Sequence, residues 1–312
     1  MDRHVSVTGA SGFLGRRLAP ALARRGWRVR ILARRPLAEG FFGSESVSTV
    51  IGDLADGDAV ARLTDGASVV IHAAGLIKAR DREAFFEVNA TGSRDIARAA
   101  AAAKARMILV SSLAAREPRL SDYAASKRAG EEVAREILGG RLISLRPPAI
   151  YGPGDRATLG LFQLAAFSPV LPVPAAPAAR LALCFVDDVV GRICDLAESE
   201  RSGGTFALGG AQPSGYGWRE IMDTAAAAMG RRPLSVPLPL GLIRAAGGVS
   251  EIYGRLSGRP VIFTSGKARE IAHADWSVSS VEAGPMADSL MATDLGAGFA
   301  RTVDWYRAQG WL

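Results

Sequence analysis

Short β-branched runs alternate along the first two-thirds of the chain with longer stretches of Ala, Leu and Arg that have helical periodicity. Such alternation is typical of a parallel, doubly wound α/β sheet. It predicts strands at His4–Val7, Arg28–Ala33, Val47–Ile51, Ser68–His72, Met107–Ser111, Arg141–Leu145 and Thr205–Leu208. It predicts helices at Leu14–Arg25, Ala59–Thr64, Arg82–Ala103, Tyr123–Leu138 and Asp187–Glu198.

The pattern changes after Pro153, where regular alternation gives way to a stretch rich in proline and alanine and later to helices and loops. We therefore expect a Rossmann domain over residues 1–152, completed by residues 184–210. Residues 153–183 and 211–312 are expected to form a smaller C-terminal substrate-binding subdomain. The fold class is α/β with a Rossmann doubly wound sheet.

Charge and composition exclude several classes of protein. The formal charge of +7 is spread over scattered arginine pairs rather than a dense basic tract, so we expect no nucleic-acid partner. The two cysteines, Cys184 and Cys194, lack the spacing of a metal site and are expected to be buried thiols in a reducing cytoplasm. No apolar run has the roughly 18 residues that a membrane span needs. Segment 237–249 comes nearest, and it is expected either to cap an apolar pocket or to touch a membrane surface.

A glycine-rich turn, T-G-A-S-G-F-L-G (8–15), follows the first strand at once and opens the first helix. There Gly9 would allow the tight turn, Gly12 the approach of a pyrophosphate to the backbone, and Gly15 close helix–strand packing. The N-terminus of the helix would then bind the diphosphate. We expect dinucleotide contacts from Gly9, Ser11, Gly12, Phe13, Leu14 and Gly15. Because this turn starts so early, no signal peptide is expected, and the location is expected to be cytoplasmic.

The end of the second strand indicates which dinucleotide binds. NAD-binding chains usually have an acidic residue there, whereas this strand continues into Arg34 and Arg35 with no acid before Glu39. Guanidinium groups bind a 2′-phosphate well, so NADP(H) is preferred over NAD(H). Asp53, just after the third strand, could accept from the adenine amino group or could serve as a helix cap or turn residue.

Tyr123 and Lys127 form Y-A-A-S-K, one helical turn apart, so their side chains share a helix face. A neighbouring ammonium stabilises a phenolate and moves the pKa of a tyrosine, ordinarily near 10, toward the working range. A hydroxyl of Ser111 or Ser112, at the end of the fifth strand, could bind the substrate oxygen. This combination indicates a tyrosine that acts as acid–base catalyst beside a bound dinucleotide.

Taken together, these motifs resemble those of extended short-chain dehydrogenases/reductases of the NAD-dependent epimerase/dehydratase type. The matching pieces are T-G-A-S-G-F-L-G (8–15), G-D-L (52–54), H-A-A-G (72–75), V-N-A-T-G (88–92), V-S-S (110–112), Y-A-A-S-K (123–127), R-P-P-A-I-Y-G-P-G-D (146–155) and F-V-D-D-V (185–189). They span about two-thirds of the chain in family order, so the set is specific.

The resemblance implies roles for individual residues. Tyr123 would be the general acid/base, Lys127 would lower its pKa and bind ribose, and Ser112 would orient the substrate oxygen. The cofactor would also contact Asp53, Leu54, Ala73, Ala74, Gly75 and Pro148. Asp187 and Asp188 resemble a structural turn and helix cap, His72 resembles a packing residue, and no metal is implied.

Two departures favour a hydrophobic substrate over a nucleotide sugar. Ten residues separate Ser112 from Tyr123, where many sugar-modifying relatives have a longer loop, and Ala149 stands where those relatives commonly have Asn. The residues expected to face the pocket are apolar, namely Leu76, Ile77, Leu113, Ala149, Leu159 and Phe162. The motif at 146–155 is more similar to the branch of 3β-hydroxysteroid dehydrogenases and dihydroflavonol reductases.

The expected function is therefore NAD(P)H-dependent interconversion of a ketone and a secondary alcohol on a hydrophobic, ring-bearing small molecule. A nucleotide-sugar epimerase or dehydratase and a non-catalytic NADP(H)-binding subunit are the alternatives on the same scaffold. Relatives often form dimers through two helices from each subunit, and the resemblance implies that Arg82–Ala103 and Tyr123–Leu138 would form that homodimer interface here.

Overall fold

The computed structural model describes residues 3–38, 40–201, 203–286 and 293–312. They form two compact units. The first unit comprises the residues up to Pro118, Asp122–Arg146 and Val190–Phe206, and the second comprises Arg119–Ser121, Pro147–Val189 and Ala207–Leu312. The chain therefore passes repeatedly from one unit to the other.

The elements are numbered in chain order. The strands are β1 (His4–Thr8), β2 (Arg28–Ala33), β3 (Val47–Ile51), β4 (Val69–His72), β5 (Arg106–Val110), β6 (Leu142–Arg146), β7 (Ala149–Tyr151), β8 (Val170–Pro174), β9 (Arg180–Leu181), β10 (Leu183–Phe185), β11 (Gly204–Ala207), β12 (Leu234–Leu238) and β13 (Asp275–Trp276). The α-helices are α1 (Gly15–Arg24), α2 (Gly57–Thr64), α3 (Arg82–Phe86), α4 (Gly92–Ala102), α5 (Asp122–Leu138), α6 (Leu159–Phe167), α7 (Val186–Glu198), α8 (Trp218–Ala228), α9 (Leu240–Ser257), α10 (Ser265–Ala272), α11 (Ser280–Ala283) and α12 (Leu295–Ala308).

A seven-stranded sheet is the centre of the first unit, in the order β11-β6-β5-β4-β1-β2-β3. The pairings from β6 across to β3 are parallel. The order reverses direction at β1, as it does in doubly wound dinucleotide-binding sheets, whose ligands bind at the carboxyl ends of the strands beside that reversal. The Rossmann prediction is confirmed.

The predicted helix over Arg82–Ala103 is wrong as a single α-helix. It is interrupted by a π-helical turn at Glu87–Thr91, between α3 and α4. Asn89 lies in this turn and is almost fully buried, and its backbone oxygen accepts a hydrogen bond from Ser93 Oγ at 2.7 Å. Local π-turns of this kind are common at functional sites.

The second unit contains three two-stranded parallel sheets, β7–β10, β8–β12 and β9–β13. Aromatic side chains form its core: Phe162 and Tyr306 are fully buried, with Phe299 against Phe162 at a ring separation of 5.0 Å. The expectation that Phe162 faces the substrate pocket is therefore wrong, because this ring is enclosed by other side chains of the core. A phenylalanine in a short helix does not reveal from sequence alone which face packs inward.

Candidate active site

The phosphate-binding turn follows β1 directly and leads into α1. Gly9 has a φ of +72°, and a Cβ there would lie 2.6 Å from the backbone nitrogen of Ala74. A side chain at Gly15 would collide with the backbone oxygen of Gly9. At Gly12, by contrast, the only heavy atom within 4 Å of an added Cβ is Gly9 O, at 3.2 Å, among the described residues. The turn is thus closed on one side and open above Gly12.

The N-terminus of α1 suits an anion. The first turn has no acidic residue. In the described chain the N-cap residue, Leu14, makes no side-chain hydrogen bond to the free N–H groups of the helix. Ser11 and Gly12 are exposed, and Phe13 and Leu14 are half-buried. Backbone N–H groups and the positive end of the helix dipole bind diphosphates in such turns. The residues present therefore fit a dinucleotide.

Exposed cations lie at the end of β2 and the start of α1. Arg34 and Arg35 are both exposed immediately after β2. Arg16 is a further cation that the sequence reasoning missed: its guanidinium donates to Ser11 O at 3.4 Å and lies over the Phe41 ring, 5.6 Å from the centroid. The sequence signal that could have identified Arg16 was its position in the first turn of the helix that follows the glycine motif.

The G-D-L segment after β3 adopts a turn. Asp53 is exposed, and its Oδ1 accepts from the backbone N–H of Ala55 at 2.9 Å, while Asp56 caps α2. Of the two structural roles considered for Asp53, it has the turn role and not the cap. Leu54 is half-buried, and its side chain packs toward Gly92 of α4.

The loop after β4 lies against the phosphate-binding turn. Ala74 N–H donates to Thr8 Oγ1 at 3.2 Å, and Thr8 Oγ1 lies 2.7 Å from His72 Nδ1. A Cβ on Gly75 would lie 3.5 Å from Lys127 Nζ. The structure therefore brings Ala73–Gly75, the phosphate-binding turn and Lys127 together. Burial lowers the pKa of His72 to about 3, so its imidazole is neutral, and its side chain is fully enclosed.

Tyr123 and Lys127 lie one turn apart on α5. Lys127 is buried and its Nζ donates to Val110 O at 2.8 Å, at the end of β5. Burial lowers the pKa of Lys127 to about 8, and the nearby Glu131 carboxylate opposes that shift. Tyr123 is half-buried, with its ring centroid 6.1 Å from that of Phe85. A lysine held in this way supplies a fixed positive charge beside the helix face that carries the tyrosine.

The two serines after β5 differ. Ser111 Oγ is buried, and the described residues offer it no hydrogen-bond partner. Ser112 is half-buried and caps a 3-10 helix over Leu113–Arg116, its Oγ accepting from Ala114 N–H at 3.2 Å. Ser112 Oγ is the acceptor in that bond, so its own O–H can still donate. Because Ser112 is half-buried whereas Ser111 is buried, accessibility favours Ser112 as the substrate-facing hydroxyl.

Asn89 was expected only as part of the V-N-A-T-G motif, and no role of its own was predicted for it. Its Oδ1 accepts from Leu76 N–H at 2.8 Å, and its Nδ2 donates to Leu76 O at 3.1 Å and to Ser126 Oγ at 2.9 Å. Ser126 Oγ donates in turn to Tyr123 O at 2.8 Å. One buried amide therefore fixes the loop after β4 and the first turn of α5. Its signal was the polar residue inside V-N-A-T-G, where a core helix would have an apolar one.

The last of the predicted cofactor residues, Pro148, lies in the second unit together with Ala149 and the V-D-D segment. Pro148 is half-buried just before β7, and Ala149, the first residue of β7, is exposed. Asp188 accepts from Thr293 N–H and Oγ1, both at 3.1 Å, and Asp187 pairs with Arg301 at 3.0 Å. Both carboxylates of the V-D-D segment are thus engaged in structural contacts.

The loop leading to α5 is also held within the second unit. Ser121 Oγ donates to the buried Glu270 carboxylate of α10, and Arg269 Nε donates to Leu120 O at 2.7 Å. A Cβ on Gly266 would lie 2.8 Å from Ser121 Cβ. Residues 120 and 121 are therefore fixed by α10, a contact that joins positions 149 apart in the chain and that no local pattern predicts.

Comparison with known proteins places this geometry in a family. The sequence profile of the "NAD dependent epimerase/dehydratase family" matches residues 5–209. A ceramide reductase of Caulobacter vibrioides is 50% identical over 309 residues, covering 99% of this chain and 96% of that protein. A 4-hydroxy-2-methyl-3-oxo-4-farnesyl-3,4-dihydroquinoline-1-oxide ketoreductase of Stigmatella aurantiaca is 32% identical over 173 residues, covering 49% of this chain and 52% of that protein.

Solved structures agree on the fold. An epimerase of Methanothermobacter thermautotrophicus superposes with a TM-score of 0.76 at 19% identity, covering 99% of this chain and 93% of that chain. The chain belongs to the NAD-dependent epimerase/dehydratase family and is a nicotinamide-dependent oxidoreductase of the extended short-chain dehydrogenase/reductase type.

Proposed function

We propose that this protein reduces a ketone on a hydrophobic, long-chain lipid of the ceramide type, with NADPH as the hydride donor. The observation that carries this proposal is the 50% identity to a ceramide reductase over nearly the whole of both chains, in a chain that has Ser112, Tyr123 and Lys127 as its predicted catalytic residues. The similarity includes the second unit, to which we assign substrate binding.

The proposed chemistry uses three side chains. Tyr123 donates its phenolic proton to the carbonyl oxygen, while the O–H of Ser112 donates a hydrogen bond to the same oxygen. The Lys127 ammonium stabilises the phenolate that remains on Tyr123. The reduced nicotinamide, when bound, supplies the hydride to the carbonyl carbon.

We assign cofactor binding to the turn, the neighbouring loops and Lys127. The set is Gly9, Ser11, Gly12, Phe13, Leu14, Gly15, Arg34, Arg35, Asp53, Leu54, Ala73, Ala74, Gly75, Lys127 and Pro148. The two exposed guanidiniums after β2 support NADPH over NADH, because a 2′-phosphate binds to cations that a 2′-hydroxyl does not need. Arg16, beside the phosphate-binding turn, supports the same preference.

The decisive experiment replaces Tyr123 with phenylalanine. In Tyr123→Phe we expect kcat for lipid-ketone reduction to fall by about 10²–10⁴-fold or more, because the proton donor is lost. Affinity for NADPH, measured by fluorescence titration, should change by less than about twofold, a shift below 0.5 kcal/mol. Val281→Ala, at an 89% exposed valine of α11, is the control. Turnover retained by Tyr123→Phe would refute the mechanism.

The substrate class is tested by comparing three kinds of compound with the wild-type protein. A long-chain ceramide-type ketone should be reduced with the highest kcat/KM, ahead of a ring-bearing ketone such as a steroid or flavonoid. A UDP-sugar should give neither epimerisation nor binding by calorimetry. A kcat/KM that is highest for the ring-bearing ketone would replace the lipid by that class, and UDP-sugar epimerisation would replace the reductase proposal altogether.

The cofactor preference is tested at Arg34. In Arg34→Ser the Kd for NADPH should rise by about tenfold or more, and the Kd for NADH should stay nearly constant, because only NADPH has the 2′-phosphate. Arg24→Ser, exposed at the end of α1, is the control. Equal weakening for both dinucleotides would remove the proposed role of Arg34.

We also propose a homodimer through α4 and α5. These helices pack together within the first unit, and helix pairs of this kind form four-helix contacts between copies. Light scattering of the purified protein measures the mass, and a monomer at micromolar concentration would contradict this proposal.

A further inference from the structure

Helix α9 exposes a continuous apolar face. Leu242, Val249, Ile252 and Leu256 are exposed by 58%, 69%, 57% and 84%, and Ala245 lies between them. Their spacing of three and four residues puts these five side chains on one face of the helix. Tyr253, 59% exposed, borders the same face.

The opposite face of α9 is the one that packs. Ile243, Gly247 and Gly254 are buried, and a Cβ on Gly247 would lie 2.8 Å from Thr264 O, at the start of α10. The small residues therefore lie on the side of α9 that packs closely against neighbouring residues of the second unit. The apolar face described above is directed away from this contact, so packing of α9 on α10 does not explain it.

Single exposed apolar residues are common on protein surfaces, but soluble proteins rarely expose a continuous apolar stripe. Such a stripe therefore usually marks an interaction site. Charge indicates the kind of partner. From Leu240 to Arg259, which covers α9 and the two residues after it, the chain has three cationic residues and one acidic residue, Glu251. Arg244 and Arg255 project from one flank of the apolar face, and Arg259 follows the end of the helix; all three are exposed.

The acidic residue does not oppose this field at the surface. Glu251 is half-buried, accepts from Ser265 N–H at 3.1 Å and forms an ion pair with Arg255. The apolar face is thus bordered by excess positive charge. If a second copy paired through its own α9 face, it would bring the same three arginines and the same Glu251. Like charges would then face each other, so charge favours an anionic partner.

We propose that α9 lies in the surface plane of a bilayer that contains anionic phospholipids. Its apolar face enters the boundary between headgroups and acyl chains, and Arg244, Arg255 and Arg259 bind the headgroups. Within the described part of the chain, no helix is long and apolar enough to cross a membrane, so the contact is interfacial. The proposal goes beyond the proposed function and is independent of which ketone is reduced.

The test is co-sedimentation of the full-length protein with vesicles. Wild-type protein should bind vesicles of equal phosphatidylcholine and phosphatidylglycerol at least about tenfold more tightly than pure phosphatidylcholine vesicles, and salt should weaken the binding. The double variant Val249→Asp/Leu256→Asp should lose at least about tenfold in affinity, because two charges enter the apolar face. Val281→Asp, at an 89% exposed valine of α11, should bind like wild type.

A second variant separates charge from apolar insertion. Arg244→Glu/Arg259→Glu should lose the preference for phosphatidylglycerol while it keeps its weak binding to phosphatidylcholine. Thermal melting and NADPH-dependent reduction of a small water-soluble ketone should match wild type in all variants. Equal vesicle binding by wild type and Val249→Asp/Leu256→Asp would overturn the proposal. So would a dimer that this variant dissociates in the absence of lipid, since the face would then bind a second copy.

Discussion

The two longest helices of the described chain, α5 and α9, break the usual rule of burial in opposite directions. The 17-residue α5 buries two charged side chains, Lys127 and Glu131, whereas the 18-residue α9 exposes most of its large apolar ones. Charged groups are rarely buried without a partner, and apolar stripes are rarely left in water, so both departures indicate function.

The two departures differ in how they are compensated. On α5, Glu131 is fully buried and accepts from Arg146 Nε at 2.8 Å and from its Nη2 at 2.5 Å, while Lys127 has a backbone acceptor. These contacts hold charge at fixed positions inside the protein. On α9 the contact with α10 buries the opposite face, and the apolar face is exposed among the described residues; we propose that an anionic bilayer covers it. The buried charges of α5 thus have partners within the first unit, whereas the apolar face of α9 is not covered by its contact with α10.

The largest stability effect is expected at the buried ion pair. Arg146→Met leaves the Glu131 carboxylate buried without its partner and should cost about 3–5 kcal/mol in free energy of unfolding, measured by urea denaturation. Arg128→Met, which breaks the exposed pair with Glu132 on the same helix, should cost less than about 0.5 kcal/mol. The double variant Glu131→Leu/Arg146→Met should recover most of the loss. If it does not, the pair acts through packing rather than charge.

Lys127 is expected to trade stability for activity. Its pKa is lowered from 10.5 to about 8 in the folded protein, so the folded state binds the proton less tightly than the unfolded state. The resulting penalty is complete below pH 8 and is relieved as the pH rises toward 10.5, a gain of about 3 kcal/mol in unfolding free energy.

Lys127→Met removes this pH dependence together with the charge. Its unfolding free energy should lack the rise between pH 8 and 10.5 that wild type shows, and kcat should fall by about 10²-fold or more. Lys104→Met, on a turn outside the site, is the control and should keep both properties. Identical pH profiles for wild type and Lys127→Met would contradict the assignment of the low pKa to Lys127.

The smallest effect is expected on α9. Leu256→Glu replaces an apolar side chain that is already 84% exposed, so its free energy of unfolding should change by less than about 0.5 kcal/mol. Leu138→Glu, at the buried end of α5, should instead cost several kcal/mol because a carboxylate enters the core. A large loss in Leu256→Glu would mean that the face supports the fold, and the contrast between the two helices would fail.

The sequence predicted the first unit well because its signals are local. Strands β2 and β3 have the predicted bounds, and the other predicted strands of the sheet differ by a residue or two at their ends. The glycines of the phosphate-binding turn were recognisable because each lies at a fixed position between one strand and one helix. The family, the fold and the class of enzyme are confirmed, whereas the roles of Ser112, Tyr123 and Lys127 stay predictions.

The features that the sequence did not reveal depend on contacts between distant positions. The π-turn at Glu87–Thr91 forms around Asn89, whose partners include Leu76 and Ser126, so helical periodicity alone could not place it. Phe162 was expected to face the substrate pocket, but the rings of Phe299 and Tyr306 pack against it in the core. Which face of α9 packs was settled only by its contact with α10.

The position of β11 has a consequence for synthesis on the ribosome. This strand covers the edge of the sheet beside β6, yet 57 residues lie between the end of β6 and the start of β11. At translation rates of about 5–20 residues per second, the edge of β6 waits roughly 3–11 seconds for its neighbour. An unpaired edge of that lifetime can pair with other nascent chains. Yield of this protein in a cell should therefore respond to slow codons between residues 147 and 203, although none of these codons alters the finished molecule.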